Sequence, residues 1–206
     1  MNKSGMLAAS LCAATLLSGC GTAANVADAA LELSGDRKPE LPESQKPPRK
    51  VAMPIAAAKN PNTDSRGRPL SMVVRIYKLK DSTTFYQAPF DAFVTPGGDK
   101  TVLGDDLLES REITLLPGQR YDWTESVARQ AGAVGVVALF NAPNARRWRF
   151  AFDPVESEKT GILIGAHACA RTVTRGALIA PQDAGGSADG DAANLLAAVP
   201  CKGELR

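Results

Sequence analysis

The charge of this 206-residue chain is nearly balanced, with 24 Lys and Arg against 22 Asp and Glu. Such a balance argues against nucleic acid or an anionic bilayer surface as the main partner. The chain is long enough to form one domain with a hydrophobic core even after an N-terminal signal is removed.

The N-terminus has the pattern of a secretory signal. Lys3 gives a positive start, and residues 6–17 form an Ala- and Leu-rich run. This run is shorter than the roughly 20 apolar residues of a membrane-spanning helix. It ends in Leu17-Ser18-Gly19-Cys20, which resembles the lipobox of bacterial lipoproteins. The resemblance implies a signal peptide at residues 1–19 and membrane-anchoring acyl chains on Cys20; an ordinary signal peptide with a chance cysteine is the alternative.

The residues after the lipobox predict a tether rather than core. Gly21, and not Asp, follows the cysteine, which by the sorting rule of enterobacteria-like lipoproteins suggests the outer membrane, facing the periplasm. Residues 25–33 are Ala-rich with an apolar helical face, and residues 35–50 contain four prolines. We therefore expect a lipidated tether with a short helix at residues 20–49 and a folded domain at residues 50–206.

Hydrophobic periodicity predicts that this domain is mainly β. Val51, Met53 and Ile55 alternate and indicate a first strand of about seven residues. Further strands are expected at residues 72–79, 112–115, 133–140, 148–152 and within 161–173, and short helices at 85–94 and 100–108. Short strands without alternating long helices favour a β-sandwich with a small helical insert. Residues 183–194 are rich in Gly and Asp, which predicts a flexible C-terminal segment.

Two cysteines remain after processing. Cys12 leaves with the signal peptide and Cys20 is lipidated, so Cys169 and Cys201 are left. An even pair in the oxidising periplasm predicts a disulfide, with two free thiols as the alternative.

The sequence offers little chemistry for catalysis. His167 is the single histidine, and although it shares a strand face with Cys169, no second cluster supplies further metal ligands. We expect no enzymatic activity, no metal, no cofactor and no small-molecule substrate. For residues 146–149 we expect Trp148 in the core and arginine stems along the sandwich edge, with a basic-aromatic binding patch as the alternative.

A longer motif resembles a known family. Asn60-Pro61-Asn62 and Arg66-Gly67-Arg68-Pro69 lead into the strand Met72-Val73-Val74-Arg75-Ile76-Tyr77. This run is similar to the signature of the TssJ (SciN, VasD) outer-membrane lipoproteins of the type VI secretion system. Weaker similar pieces follow at residues 103–108, 116–118, 134–140 and 148–149, whereas the segment past residue 175 goes beyond the family pattern.

The resemblance implies a transthyretin-like β-sandwich, here of about eight strands, without catalysis. It also implies docking onto the periplasmic C-terminal domain of TssM through the loop between the first two strands. In this chain the loop residues are Lys59, Asn60, Asn62, Asp64, Arg66, Gly67, Arg68 and Pro69. A lipoprotein that binds a small molecule on the same scaffold is the alternative, and it should show a concave apolar pocket.

Overall fold

The structure is a computed structural model that describes residues 41–144 and 147–180. The signal peptide, Cys20, the helix at residues 25–33, Arg146 and the C-terminal segment with Cys201 lie outside these residues. The compact unit that carries the described strands begins at Glu43.

Eleven strands and four short α-helices make up most of the regular structure of the described residues. The strands are β1 (Arg49–Ala52), β2 (Ile55–Ala57), β3 (Met72–Leu79), β4 (Leu107–Leu115), β5 (Arg120–Tyr121), β6 (Thr124–Val127), β7 (Ala133–Leu139), β8 (Arg149–Phe152), β9 (Leu163–Ala166), β10 (Arg171–Arg175) and β11 (Leu178–Ile179). The helices are α1 (Thr83–Gln87), α2 (Phe90–Val94), α3 (Gly98–Leu103) and α4 (Pro154–Thr160), and 3₁₀ turns occur at Glu43–Gln45 and Gly104–Asp106. The prediction of a mainly β domain with a small helical insert is confirmed.

The strands form two larger sheets and one ladder. The five-stranded sheet has the order β11-β8-β7-β3-β4 and is antiparallel throughout. The four-stranded sheet has the order β10-β9-β2-β5, in which only β2 and β9 run parallel. The remaining ladder pairs β1 with β6.

The first predicted strand is divided in two at Pro54, so the expectation of one continuous strand was wrong. A proline has no backbone N–H to donate to a ladder. β1 therefore pairs with β6 before the break, and β2 pairs with β5 and β9 after it. The predicted alternation survives the break, because Val51, Met53 and Ile55 are all buried.

The central strands β3 and β7 carry the core of the five-stranded sheet. β7 is buried on both faces except at its last residue, as its continuous apolar run predicts. On one face, the rings of Tyr77, Phe85 and Phe93 pack with centroids 5.7 to 6.0 Å apart. A side chain on Gly135 would lie 2.9 Å from the Phe85 ring, so this glycine lets the helical insert approach the sheet closely.

Two local predictions need correction. The helix expected at residues 100–108 ends at Leu103, and Leu107 already begins β4. Helix α4 was not predicted, although its start is well marked: the Asp153 side chain accepts hydrogen bonds from the amides of Val155 (2.7 Å) and Glu156 (3.0 Å), and Pro154 is the first helical residue.

Candidate docking loop

The loop between β2 and β3 lies at one end of the sandwich, beside the turn between β9 and β10. We call residues 59–69 the docking loop. Its first part is held to that turn by backbone hydrogen bonds from Asn62 to His167 (3.1 Å) and from Thr63 to Ala168 (3.1 Å). The loop therefore projects from a base fixed by the four-stranded sheet.

Asn62 forms the base of the loop and not its surface. It is 6% exposed and has a positive φ of 48°, a conformation that asparagine tolerates better than most residues. Its side chain donates to the carbonyl of Ser71 (2.9 Å) and accepts from the amide of Asn141 (2.6 Å). Among the predicted contact residues, Asn62 therefore supports the loop from within.

Asp64 organises the tip of the loop. Its Oδ1 accepts hydrogen bonds from the amides of Arg66 and Arg68, both at 2.9 Å. Its Oδ2 accepts from Nε of Arg68 at 2.8 Å, and a second guanidinium nitrogen lies at the same distance. The pKa of Asp64 is lowered, mainly because its carboxylate accepts a hydrogen bond from the Arg68 amide. The side chain is therefore charged at neutral pH.

The exposed cations of the loop are not equivalent. Arg68 is paired with Asp64, whereas the side chains of Lys59 and Arg66 are exposed and have no carboxylate partner among the described residues. Gly67, with φ of 73°, allows the tight turn that carries Arg66 outward. Asn60, Gly67 and Pro69 are exposed on the same loop.

The stretch around Trp148 follows its prediction in part. Trp148 is 6% exposed and belongs to the core, as expected. The guanidinium of Arg149 does not lie along the sandwich edge. It donates to the carbonyls of Phe85 (2.8 Å), Tyr86 and Ala88, where helix α1 ends before Pro89 and leaves its last carbonyls without helical partners.

His167 and Cys169 lie in the turn between β9 and β10, so the expectation that they share a strand face was wrong. The His167 ring lies 3.0 Å from the hydroxyl of Thr172, and partial burial lowers its pKa. Within residues 41–144 and 147–180, no group of three His, Cys, Asp or Glu side chains could hold a metal ion. Cys169 is buried and disulfide-bonded. Because Cys201 lies outside the described residues, its pairing with Cys169 stays a prediction.

Comparisons with known proteins agree on one family. A family model of type VI secretion lipoproteins, T6SS-SciN, which includes VasD, EvfM and TssJ, matches residues 49–169. No curated protein matches the chain. None of the described helices is long and apolar enough to cross a membrane.

Three solved structures are similar over most of their own length. The type VI secretion lipoprotein TssJ1 of Pseudomonas aeruginosa is 26% identical, with a TM-score of 0.55 over 62% of this chain and 96% of that one. A chain in the structure of a type VI membrane complex is 31% identical, with a TM-score of 0.57 over 62% and 98%. A chain in the structure of the C-terminal domain of the T6SS protein TssM from EAEC is 29% identical, with a TM-score of 0.54 over 61% and 98%.

The TssJ structures have a transthyretin-like β fold, and this chain shares it. The family model covers more than half of the chain and includes the docking loop. The chain therefore belongs to the type VI secretion lipoprotein family of TssJ, SciN and VasD.

Proposed function

We propose that this protein is a structural subunit of the type VI secretion membrane complex, anchored in the outer membrane by acyl chains on Cys20. Its docking loop binds the periplasmic C-terminal domain of TssM, and it acts without catalysis or a cofactor. The observation that carries the docking proposal is a fixed loop with uncompensated positive charge at Arg66 and Lys59. Family membership and the similarity to chains from a type VI membrane complex and a TssM structure support it.

The path of the chain through the domain suits this role. Near the start of the domain, Arg49 donates to the carbonyl of Arg129 (3.1 Å), and Arg129 donates to the carbonyl of Pro47 (2.7 Å). From this clamp β1 and β2 run to the docking loop, and nine extended residues span about 30 Å. Arg49 and the docking loop thus lie at opposite ends of the extended run of β1 and β2, which suits a subunit that connects a membrane to a periplasmic partner.

Within the part of the chain that the structure describes, the alternative of small-molecule binding is less well supported. A pocket of about 260 Å³ lies between the helical insert and β4, and its lining includes Arg75, Asp99, Lys100, Arg111 and Glu112. Ligand pockets are usually larger and mostly apolar, with few polar groups. This pocket is mostly charged, and Arg75 already pairs within it with Glu112 at 2.7 Å and Asp99 at 3.4 Å.

The docking proposal is tested by calorimetric binding of the mature lipoprotein, in detergent micelles, to the cognate TssM periplasmic domain. The amide of Asp64 lies 3.0 Å from the carbonyl of Arg68, so replacing residues 64–68 by two glycines shortens the loop while its ends stay adjacent. We expect this variant to lose most of its affinity, and the wild type to bind more weakly at higher salt.

Circular dichroism is the control for folding. The shortened variant should keep the wild-type spectrum, because changes in exposed loops usually alter stability by less than about 0.5 kcal/mol. Unchanged affinity of the folded, shortened variant would locate the interface elsewhere.

A further inference from the structure

We infer that the docking loop recognises a carboxylate on its partner through Arg66, and that Asp64 and Arg68 together position this arginine without contacting the partner's acidic group. This inference rests on the proposed docking function.

Arg68 is already used within the loop. Its Nε and a second guanidinium nitrogen both lie 2.8 Å from Oδ2 of Asp64. These two donors belong to the guanidinium fork with which arginine binds carboxylates, and here both are directed at one oxygen. A partner carboxylate would have to displace Asp64 to gain the same contact, so we expect Arg68 to contribute less than Arg66.

Arg66 is held in place but its side chain remains available. Its amide is fixed by Oδ1 of Asp64 at 2.9 Å, and the next residue, Gly67, turns the chain back through its positive φ. The side chain is exposed and has no carboxylate partner among the described residues. Its planar guanidinium can therefore accept a bidentate carboxylate from outside.

The charge of the loop fits an acidic partner. Residues 59–69 contain three cations, Lys59, Arg66 and Arg68, and one carboxylate, Asp64. Because Asp64 compensates Arg68, the positive charge of Lys59 and Arg66 is left to face the solvent. A partner surface with carboxylates opposite these two side chains is the complementary arrangement.

Asp64 contributes by fixing the loop before binding. Without its hydrogen bonds to the amides of Arg66 and Arg68, the tip would have to become ordered on association, and that ordering opposes affinity. The Asp64→Asn variant keeps an oxygen that can accept from both amides, whereas Asp64→Ala keeps none. The pair of variants separates a positioning role from a simple loss of charge.

The test measures binding of the mature lipoprotein variants to the cognate TssM periplasmic domain, together with amide hydrogen exchange across the loop. We expect Arg66→Ala to lower the affinity about tenfold or more and to weaken its salt dependence, while the loop amides stay protected. Lys159→Ala is the matched control, because it removes an exposed cation from α4, which packs on β1 away from the loop; its affinity should be unchanged.

Asp64→Ala should lower both the affinity and the protection of the two arginine amides, and Asp64→Asn should restore most of both. Arg66→Ala with wild-type affinity, or a larger loss in Arg68→Ala than in Arg66→Ala, would overturn the division of roles. Equal affinities of the Ala and Asn variants of Asp64 would overturn its positioning role. Absence of wild-type binding would instead refute the docking function on which the inference rests.

Discussion

Lys78 and Glu125 form an ion pair of 3.2 Å in which both side chains are almost fully buried, at 5% and 4% exposure. The pair joins β3 of the five-stranded sheet to β6. Glu125 also accepts hydrogen bonds from Arg111 (3.1 Å) and from the indole of Trp123 (3.2 Å). Its oxygens therefore have partners that compensate for the loss of water around the charge.

We predict that Glu125→Ala lowers the free energy of unfolding by about 3 kcal/mol, because it leaves Lys78 buried with only the exposed Glu109 as its partner. The measurement is chemical denaturation. Asp122→Asn is the control, since it breaks the exposed pair with Arg120 and should cost less than about 1 kcal/mol.

The double variant Lys78→Met, Glu125→Leu should recover most of the free energy of unfolding that Glu125→Ala loses, because neither buried charge remains. A double variant as unstable as Glu125→Ala would mean that the packing of Glu125, and not its charge, is what the domain requires.

His167 predicts a dependence of stability on pH. Partial burial lowers its pKa in the folded chain, so below about pH 6.5 the unfolded chain takes up a proton first. The free energy of unfolding should therefore fall as the pH drops through this window and stay level above it. Because His167 is the single histidine, comparing the wild type with His167→Gln by denaturation at several pH values isolates its contribution. Parallel curves would refute the prediction.

Lipidation predicts a change of location. Cys20→Ser should move the protein from the outer-membrane fraction to the soluble periplasm, since it would remove the acyl chains that we propose anchor it in the bilayer. Fractionation in a strain without TssM is the measurement. A variant that remains with the membranes in that strain would contradict the anchoring proposal.

The predicted disulfide between Cys169 and Cys201 can be tested by mass. The unreduced mature protein should be lighter than the reduced protein by two hydrogens and should resist thiol labelling. Cys201→Ser should lower the free energy of unfolding by about 3 to 4 kcal/mol in the chain-entropy model. Labelling of both thiols without reductant would show that the bond does not form.

Strands with a strong apolar pattern could be predicted from the sequence. Short strands that form only because a partner strand pairs with them could not. β3 and β7 have alternating or continuous apolar residues, so their position and burial follow from periodicity. β5 and β11 have only two residues each, and such short ladders depend on a partner strand that is distant in sequence.

Buried cations were also beyond the reach of local patterns. Arg171 is fully buried, donates to the carbonyls of Trp148 (2.9 Å) and Val136, and has its pKa lowered to about 9 by burial. Nothing in its immediate sequence separates it from an exposed strand arginine. In the docking loop, too, the sequence does not distinguish Arg66 from Arg68. Only the structure shows that the side chain of Arg68 pairs with Asp64.

The direction of β1 has a mechanical consequence. Under the proposed anchoring, tension on the tether would reach the domain at the N-terminal end of β1. All four residues of this strand, Arg49–Ala52, pair with β6. Because β1, β2 and the docking loop follow one another along the chain, a load between the tether and the loop would be carried by the covalent backbone of residues 49–59. The hydrogen bonds between β1 and β6, which lie perpendicular to the strands, would not have to bear it. The clamp of Arg49 and Arg129 lies at the start of this path.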